Sequence, residues 1–271
     1  MLIIEPIGGL ANRMRVIVSA VNLKKRLNFD LNCVWEENSE LNAPFNMLFE
    51  KIEGINFIPK LDKYNYLKST NQKKQGRKKI VMLMNKIIGF DYCLKQSDFL
   101  ETINIIEILK KNKRVYIRTC EEFFSYNNED FHIFKPVKHL LDEIQINTMR
   151  FNFNTIGLHI RRFDNSMSIE YSPLDMFIEK IDEEIQNNEK VNFFLSTDDT
   201  TVEELLIEHY KGRIIVTRNK ILNRNSVEGI KNAIVDMYSL SATSMIYGSY
   251  WSSFSDIASR IGNVKCITIK K

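Results

Sequence analysis

From residue 154 onward short apolar runs alternate with amphipathic stretches, and this alternation limits the fold more than any other feature of the 271-residue chain. The runs Thr155 to Ile160, Val191 to Leu195, Arg213 to Val216 and Ser244 to Tyr247 have the length of strands, and helical stretches separate them. Ile230, Ala233, Ile234 and Met237 fall at i, i+3, i+4 and i+7, while Thr200 and Glu203 form a capping box that opens a helix carrying Leu205 and Leu206. Strands joined through helices build a parallel sheet, so the class is α/β. The amino-terminal part shows the same grammar. Leu2 to Glu5 reads as a buried strand, Gly8-Gly9 as a turn, and Met14, Ile17, Val18 and Val21 recur at helical spacing. Leu31 to Trp35 and Val115 to Arg118 are further strands, and the length suits two domains, 1–150 and 151–271.

Several functional classes drop out. Lys plus Arg number 38 against 34 Asp plus Glu, too small an excess for a dedicated nucleic-acid binder. Cys33, Cys93, Cys120 and Cys266 form no C-x-x-C pair and are read as reduced thiols, and the scattered His132, His139 and His209 suggest no metal site. The turn at Gly8 matches neither G-x-G-x-x-G nor a P-loop, which disfavours NAD and ATP. Met1 to Pro6 lacks the basic start of a signal peptide, and no uncharged apolar run could span a bilayer, so a cytoplasmic location is expected. The tract Lys68 to Lys79 holds six cations and no acid. It reads as a solvated loop, or as a contact with anionic headgroups at the inner membrane surface.

Four clusters could carry chemistry. The first is His159-Ile160-Arg161-Arg162-Phe163-Asp164, where the strand Thr155 to Ile160 ends. Open α/β sheets bind ligands at that edge. A guanidinium fork fits diphosphate oxygens and stays charged, and alternation sends the two arginines to different sides, so one meets a ligand while the other braces the loop. A surface ion pair with Asp164 is the plain alternative, and His159 by itself reads as a core histidine. The second is Ser196-Thr197-Asp198-Asp199, of whose acids one is expected to cap the next helix and the other to meet a nucleobase or ribose. The third, Ser252-Ser253-Phe254-Ser255, opens a helix through a capping box with Asp256 and offers backbone N–H groups and hydroxyls to phosphate, unless it is simply an N-cap. The fourth, Gly8-Gly9-Leu10-Ala11-Asn12-Arg13, allows close backbone approach and supplies polar donors, or is a tight turn requiring positive φ.

In order, Gly-Gly-Leu-Ala-Asn-Arg, His-Ile-Arg-Arg-x-Asp, Ser-Thr-Asp-Asp, Ala-Ile-Val-Asp-Met-Tyr-x-Leu-Ser and Trp-Ser-Ser-Phe-Ser resemble the motif series of the fucosyltransferase superfamily, the α-1,6-fucosyltransferases first, with protein O-fucosyltransferases and bacterial α-1,2-fucosyltransferases as relatives. The resemblance runs from Gly8 to about Ser255, with almost nothing between Asn22 and Asn154. It implies a GT-B arrangement of two Rossmann-like domains facing across a cleft, and inverting transfer from a GDP-sugar without a metal or other cofactor. By the same resemblance Arg161 and Arg162 contact the diphosphate, and His159, Asp198 or Asp199, and Asp236 serve the donor. Ser252 to Ser255 border the phosphates, and the Gly8-Gly9 turn closes over them. The first domain takes the glycan or lipid-linked saccharide acceptor. Phe163 departs from the small polar residue common at its position, and no acid matches the acceptor-side carboxylate cleanly, so Asp164 and Glu170 both remain candidates for general base. Asp236 lies beside Ile234 and Met237 and must be paired if it faces inward. Other readings are a transferase for a different GDP-sugar, a non-catalytic nucleotide-sugar or glycan-binding module, and an inactive membrane-docked scaffold.

Overall fold

The computed structural model describes residues 1–59, 89–100, 103–163, 165–223 and 225–271. The tract Lys68 to Lys79 and Asp164 lie outside the described residues. The chain divides into two compact units, Met1–Phe45 with Lys51–Asp130, and Asn46–Glu50 with Phe131–Lys271. Each is built on one five-stranded parallel sheet, with α-helices between successive strands throughout the second, the pair of Rossmann-like units expected of the GT-B class.

In the first unit the strands are β1 (Leu2–Pro6), β2 (Leu31–Val34), β3 (Ile55–Ile58), β4 (Tyr92–Lys95) and β5 (Val115–Thr119), in the order β3-β2-β1-β5-β4. Every residue of β1 is buried, as the central strand of a sheet covered on both faces must be. Helix α1 (Leu10–Leu27) follows the glycine turn and buries Met14, Ile17 and Val18 completely. It ends at Asn28 in the left-handed conformation, with Lys24, Lys25 and Arg26 in the last turn, where cations complement the helix dipole. Helix α2 (Ile105–Lys111) is capped by the Asn104 side chain.

The second unit contains α3 (Lys138–Thr148), β6 (Thr155–Ile160), α4 (Ser166–Tyr171), α5 (Leu174–Asn187), β7 (Asn192–Thr197), α6 (Thr200–His209), β8 (Ile214–Ile215), α7 (Val227–Ser241), β9 (Met245–Ser249), α8 (Ser253–Gly262) and β10 (Lys265–Ile269). Its order is β10-β9-β6-β7-β8. From β6 the chain fills one side of the sheet with β7 and β8, then crosses to the other side for β9 and β10, so the topological switch point lies between β6 and β9. Ligands of such sheets bind at the carboxyl ends of the strands flanking that point. Leu158, Phe177, Ile181, Phe193, Leu195 and Leu206 are fully buried in the core of this unit. The segment Asn46–Glu50 is part of it too. Leu48 and Phe49 are buried, Glu50 N–H donates to Lys135 O (2.8 Å), Val137 N–H donates to Leu48 O (3.1 Å), and the Phe49 ring lies 5.2 Å from that of Phe134.

Several boundaries differ from the sequence reading for physical reasons. The run Arg213 to Val216 gives a strand of only two residues, Ile214–Ile215, at the sheet edge. The N-cap of α6 is Asp199 and not Thr200, because the Asp199 carboxylate accepts from Thr201 N–H (2.9 Å) and Val202 N–H (3.4 Å). The N-cap of α8 is Ser252, without a side-chain cap, and Asp256 pairs with Arg260 (3.2 Å) instead of closing a box with Ser253.

Candidate functional site

At the carboxyl end of β6 the backbone leaves the sheet under tight control. Arg161 N–H donates to Ser249 Oγ (3.0 Å) at the end of β9, and Arg162 N–H donates to Asp198 Oδ1 (2.7 Å) at the end of β7. Three strand ends are thus tied across the switch point. The Arg161 guanidinium is held by Asp198 Oδ2 at 2.6 Å, with the two side chains only 11% and 17% exposed. Arg162 turns into the protein, where Nη1 donates to Arg161 O (3.0 Å) and Nη2 to Ser172 O (2.8 Å). Burial lowers the proton affinity of Arg162, and the nearby Asp198 and Asp199 carboxylates work against that. One arginine is therefore oriented at the sheet edge by an acid and the other clasps backbone oxygens, the division that strand alternation implies.

Helix α8 starts beside this pair. Ser252 caps it only through its backbone, so the first-turn N–H groups meet no side-chain oxygen from the cap. Its approach to β9 requires glycine, because a Cβ on Gly248 would lie 2.4 Å from Ser255 Oγ. Phe254, in the first turn, stacks on the His159 ring at 4.8 Å and 24°. His159 is buried on β6, and its Nδ1 has no hydrogen-bond partner among the described residues. Desolvation, reinforced by the Arg161 charge, holds its pKa down to about 3. The imidazole is therefore neutral at physiological pH.

A stability prediction follows from His159. Between about pH 6.5 and 3 the unfolded chain takes up a proton that the folded imidazole refuses, so stability is expected to fall as pH drops through that window, by up to about 1.4 kcal/mol per pH unit. His159→Phe should remove this contribution. Melting curves of both proteins from pH 4 to 7 test it, and identical pH slopes would show that His159 titrates normally in the fold.

Asp236 on α7 does face inward and is paired. Its Oδ1 accepts from Thr217 Oγ1 (2.5 Å) and its Oδ2 lies 3.8 Å from Lys220 Nζ, which also meets Glu203 (2.5 Å). Asn147 extends the network by donating to Thr217 Oγ1 (2.8 Å) and Ser239 Oγ (3.0 Å). These partners escaped the sequence reading, since Thr217 and Lys220 sit in a polar loop with no periodicity to single them out. Glu170 is solvent-exposed on the short helix α4.

The glycine turn belongs to the first unit. Gly8 has φ +83°, a conformation suited to glycine, and its N–H donates to Glu40 Oε2 (3.0 Å). Gly9 starts α1 with no side-chain cap and no acid in the first turn, and the half-buried Asn12 side chain has no hydrogen bond among the described residues. Arg13 is wholly buried. Its Nε donates to Gly8 O (2.9 Å), Nη1 to Glu36 O (2.6 Å) and Nη2 to Asn38 Oδ1 (3.1 Å), and its guanidinium lies 5.1 Å from the Trp35 ring centre. Arg13 thus holds the turn from inside.

Two parallel Rossmann-like sheets, one with charged and hydrogen-bonding groups gathered at its switch point, define a GT-B-like fold. Solved structures that the chain resembles over nearly all its length include fucosyltransferases. A mutant of Arabidopsis thaliana FUT1 in complex with GDP matches with a TM-score of 0.66 at 16% identity, covering 98% of this chain and 69% of that one. The NodZ α-1,6-fucosyltransferase of Bradyrhizobium, soaked with GDP-fucose, matches at 0.60 and 15% identity, covering 96% and 92%. POFUT1 in complex with GDP matches at 0.57 and 10% identity, covering 99% and 97%. No protein-family model matches the sequence, and no curated protein matches it significantly.

Proposed function

We propose that the chain is a glycosyltransferase that moves fucose from GDP-fucose to a hydroxyl of a glycan or lipid-linked saccharide, with inversion and without a metal ion. The observation that carries this reading is the convergence at one switch point of the Asp198-held Arg161, the uncapped start of α8 and the buried, unpartnered Nδ1 of His159. Together they offer an anion seat beside a polar group with unused hydrogen-bonding capacity. The GDP and GDP-fucose in the similar solved structures support the choice of nucleotide.

In this reading Arg161 and the α8 N–H groups meet the diphosphate and stabilise the charge that develops as it departs from the anomeric carbon. Diphosphate charge is then met by the protein, so the reaction calls for no metal. Asp198 positions Arg161 and fixes the Arg162 amide, and Arg162 braces the loop. Asp236 and neutral His159 serve the guanosine, and Ser252, Ser253 and Ser255 border the phosphates. The acceptor hydroxyl displaces GDP through an oxocarbenium-like transition state and passes its proton to a carboxylate, Asp164 or Glu170. No helix among the described residues is long and apolar enough to cross a membrane. We place the protein in the cytoplasm, in polysaccharide assembly, with Lys68 to Lys79 available to anionic headgroups.

Calorimetric titration with GDP, with UDP as control and a chelator present throughout, tests the donor site. Saturable binding of GDP but not of UDP is expected. Equal binding of both, or of neither, would remove the basis for a GDP-sugar site.

A further inference from the structure

The residue just before the α8 N-cap, Trp251, has an unusual backbone and an unusual environment at once. Its φ is +58°, in the left-handed region that bulky side chains avoid, and 68% of its surface is exposed. The surrounding atoms enforce this conformation. Trp251 O accepts from Asn165 Nδ2 (3.1 Å), Tyr250 O accepts from Ser168 Oγ (2.6 Å), and Tyr250 N–H donates to Ser172 Oγ (2.8 Å). Asn165 itself is fixed, because its Oδ1 caps α4 through Ser168 N–H (3.0 Å). Behind the indole the rings continue, with Tyr250 at 5.8 Å from Trp251 and Tyr171 at 5.4 Å from Tyr250. The result is a rigid loop that presents a large apolar face to solvent. Strain and exposure both oppose folding, and the indole adds little to the core in return. Conformations of this kind are retained at ligand clamps.

The place of Trp251 in the chain indicates what it clamps. Its Cα is one peptide, about 3.8 Å, from that of the Ser252 N-cap, so a diphosphate seated on the α8 start brings the group esterified to its terminal phosphate within reach of the indole. In a nucleotide sugar that group is a pyranose. One face of a pyranose is lined with C–H bonds, whose slight positive charge suits the negative face of an indole, and the indole N–H can serve a ring hydroxyl.

We propose that Trp251, backed by Tyr250 and Tyr171, is the platform on which the pyranose of the nucleotide-sugar donor stacks. The inference rests on the reading of this edge as a GDP-sugar site, and it assigns the sugar half of a ligand whose nucleotide half the other residues address. The test is calorimetry with GDP and GDP-fucose on the full chain and on Trp251→Gly and Trp251→Phe. Trp251→Gly is expected to bind GDP as the wild type does and GDP-fucose about tenfold more weakly, with Trp251→Phe recovering most of the loss. Glycine is at ease at φ +58°, so Trp251→Gly should melt no lower than the wild type, which separates lost stacking from misfolding. An unchanged ratio of GDP-fucose to GDP affinity in Trp251→Gly would overturn the platform while leaving the nucleotide site intact. Wild-type protein that binds GDP-fucose no better than GDP would also overturn it. Absence of any GDP binding would sink the parent reading, and the platform with it.

Discussion

Arg161→Ala is expected to fold and to lose transfer from GDP-fucose by about 10²–10³-fold in kcat/KM, the scale found when one preorganised donor to a developing anion is removed. Asp198 holds the Arg161 guanidinium at 2.6 Å, so the charge stands in a fixed direction and needs little reorganisation as the diphosphate leaves. Arg161→Lys keeps the charge but loses the planar fork, and should recover only part of the rate. Some stability is lost as well, because truncation leaves the buried Asp198 Oδ2 without its partner, although Asp198 keeps its bond from the Arg162 amide. Arg162→Ala should be the more destabilising of the two. It strands the buried Ser172 O and the part-buried Arg161 O, and should lower the melting temperature as well as the rate. Steady-state kinetics beside thermal melts separate the two arginines. Near-normal kcat/KM in Arg161→Ala would end the case for it as the diphosphate ligand.

The largest stability effect is expected at Arg13. Truncation to alanine removes a completely buried guanidinium and its hydrogen bonds to Gly8 O, Glu36 O and Asn38 Oδ1, and opens a void beside Trp35. Breaking a buried charge network of this kind costs about 3–5 kcal/mol. Urea unfolding measures the loss directly. Burial pulls the Arg13 pKa below the ordinary arginine value while Glu40, Cys33, Glu36 and Glu5 oppose the shift, and the guanidinium stays a cation. Were Arg13 chiefly a donor ligand, the alanine variant would instead stay within about 1 kcal/mol of the wild type and show its defect in GDP-fucose binding.

The contrast between Arg13 and Arg161 shows which parts of the site sequence could reveal. Both arginines stand in motifs that follow a strand, Arg161 just past the end of β6 and Arg13 in the first turn of α1, near the edges where parallel sheets gather ligands. Direction is another matter. Arg13 turns inward because Trp35, Glu36 and Asn38 sit beside the first turn of α1, and those contacts arise from tertiary structure. The partners of Asp236 were hidden for the same reason. Its inward orientation follows from helical period, but Lys220 and Thr217 reach it from an irregular loop. Trp251 is the extreme case, since nothing in Ser249-Tyr250-Trp251-Ser252 announces a positive φ. Strands divide in a similar way. The three inner strands of the second sheet, β6, β7 and β9, are buried on both faces and read as apolar runs. The edge strands β4 and β10 mix Lys, Cys and Thr with their apolar residues because they are half exposed, and the alternation never becomes a recognisable run.

The passage of Asn46–Glu50 into the second unit bears on how the chain is made. Leu48 and Phe49 leave the ribosome well before the residues they pack against, Phe134 to Val137, which follow only after the rest of the first unit has been synthesised. At about 5–20 residues per second the wait is on the order of ten seconds. During that interval two large apolar side chains have no native seat. The same crossing sets a rule for dissection. A fragment cut cleanly after Asp130 would separate Phe49 from Phe134, so an autonomous second half must carry Asn46–Glu50 with it, grafted or supplied in trans.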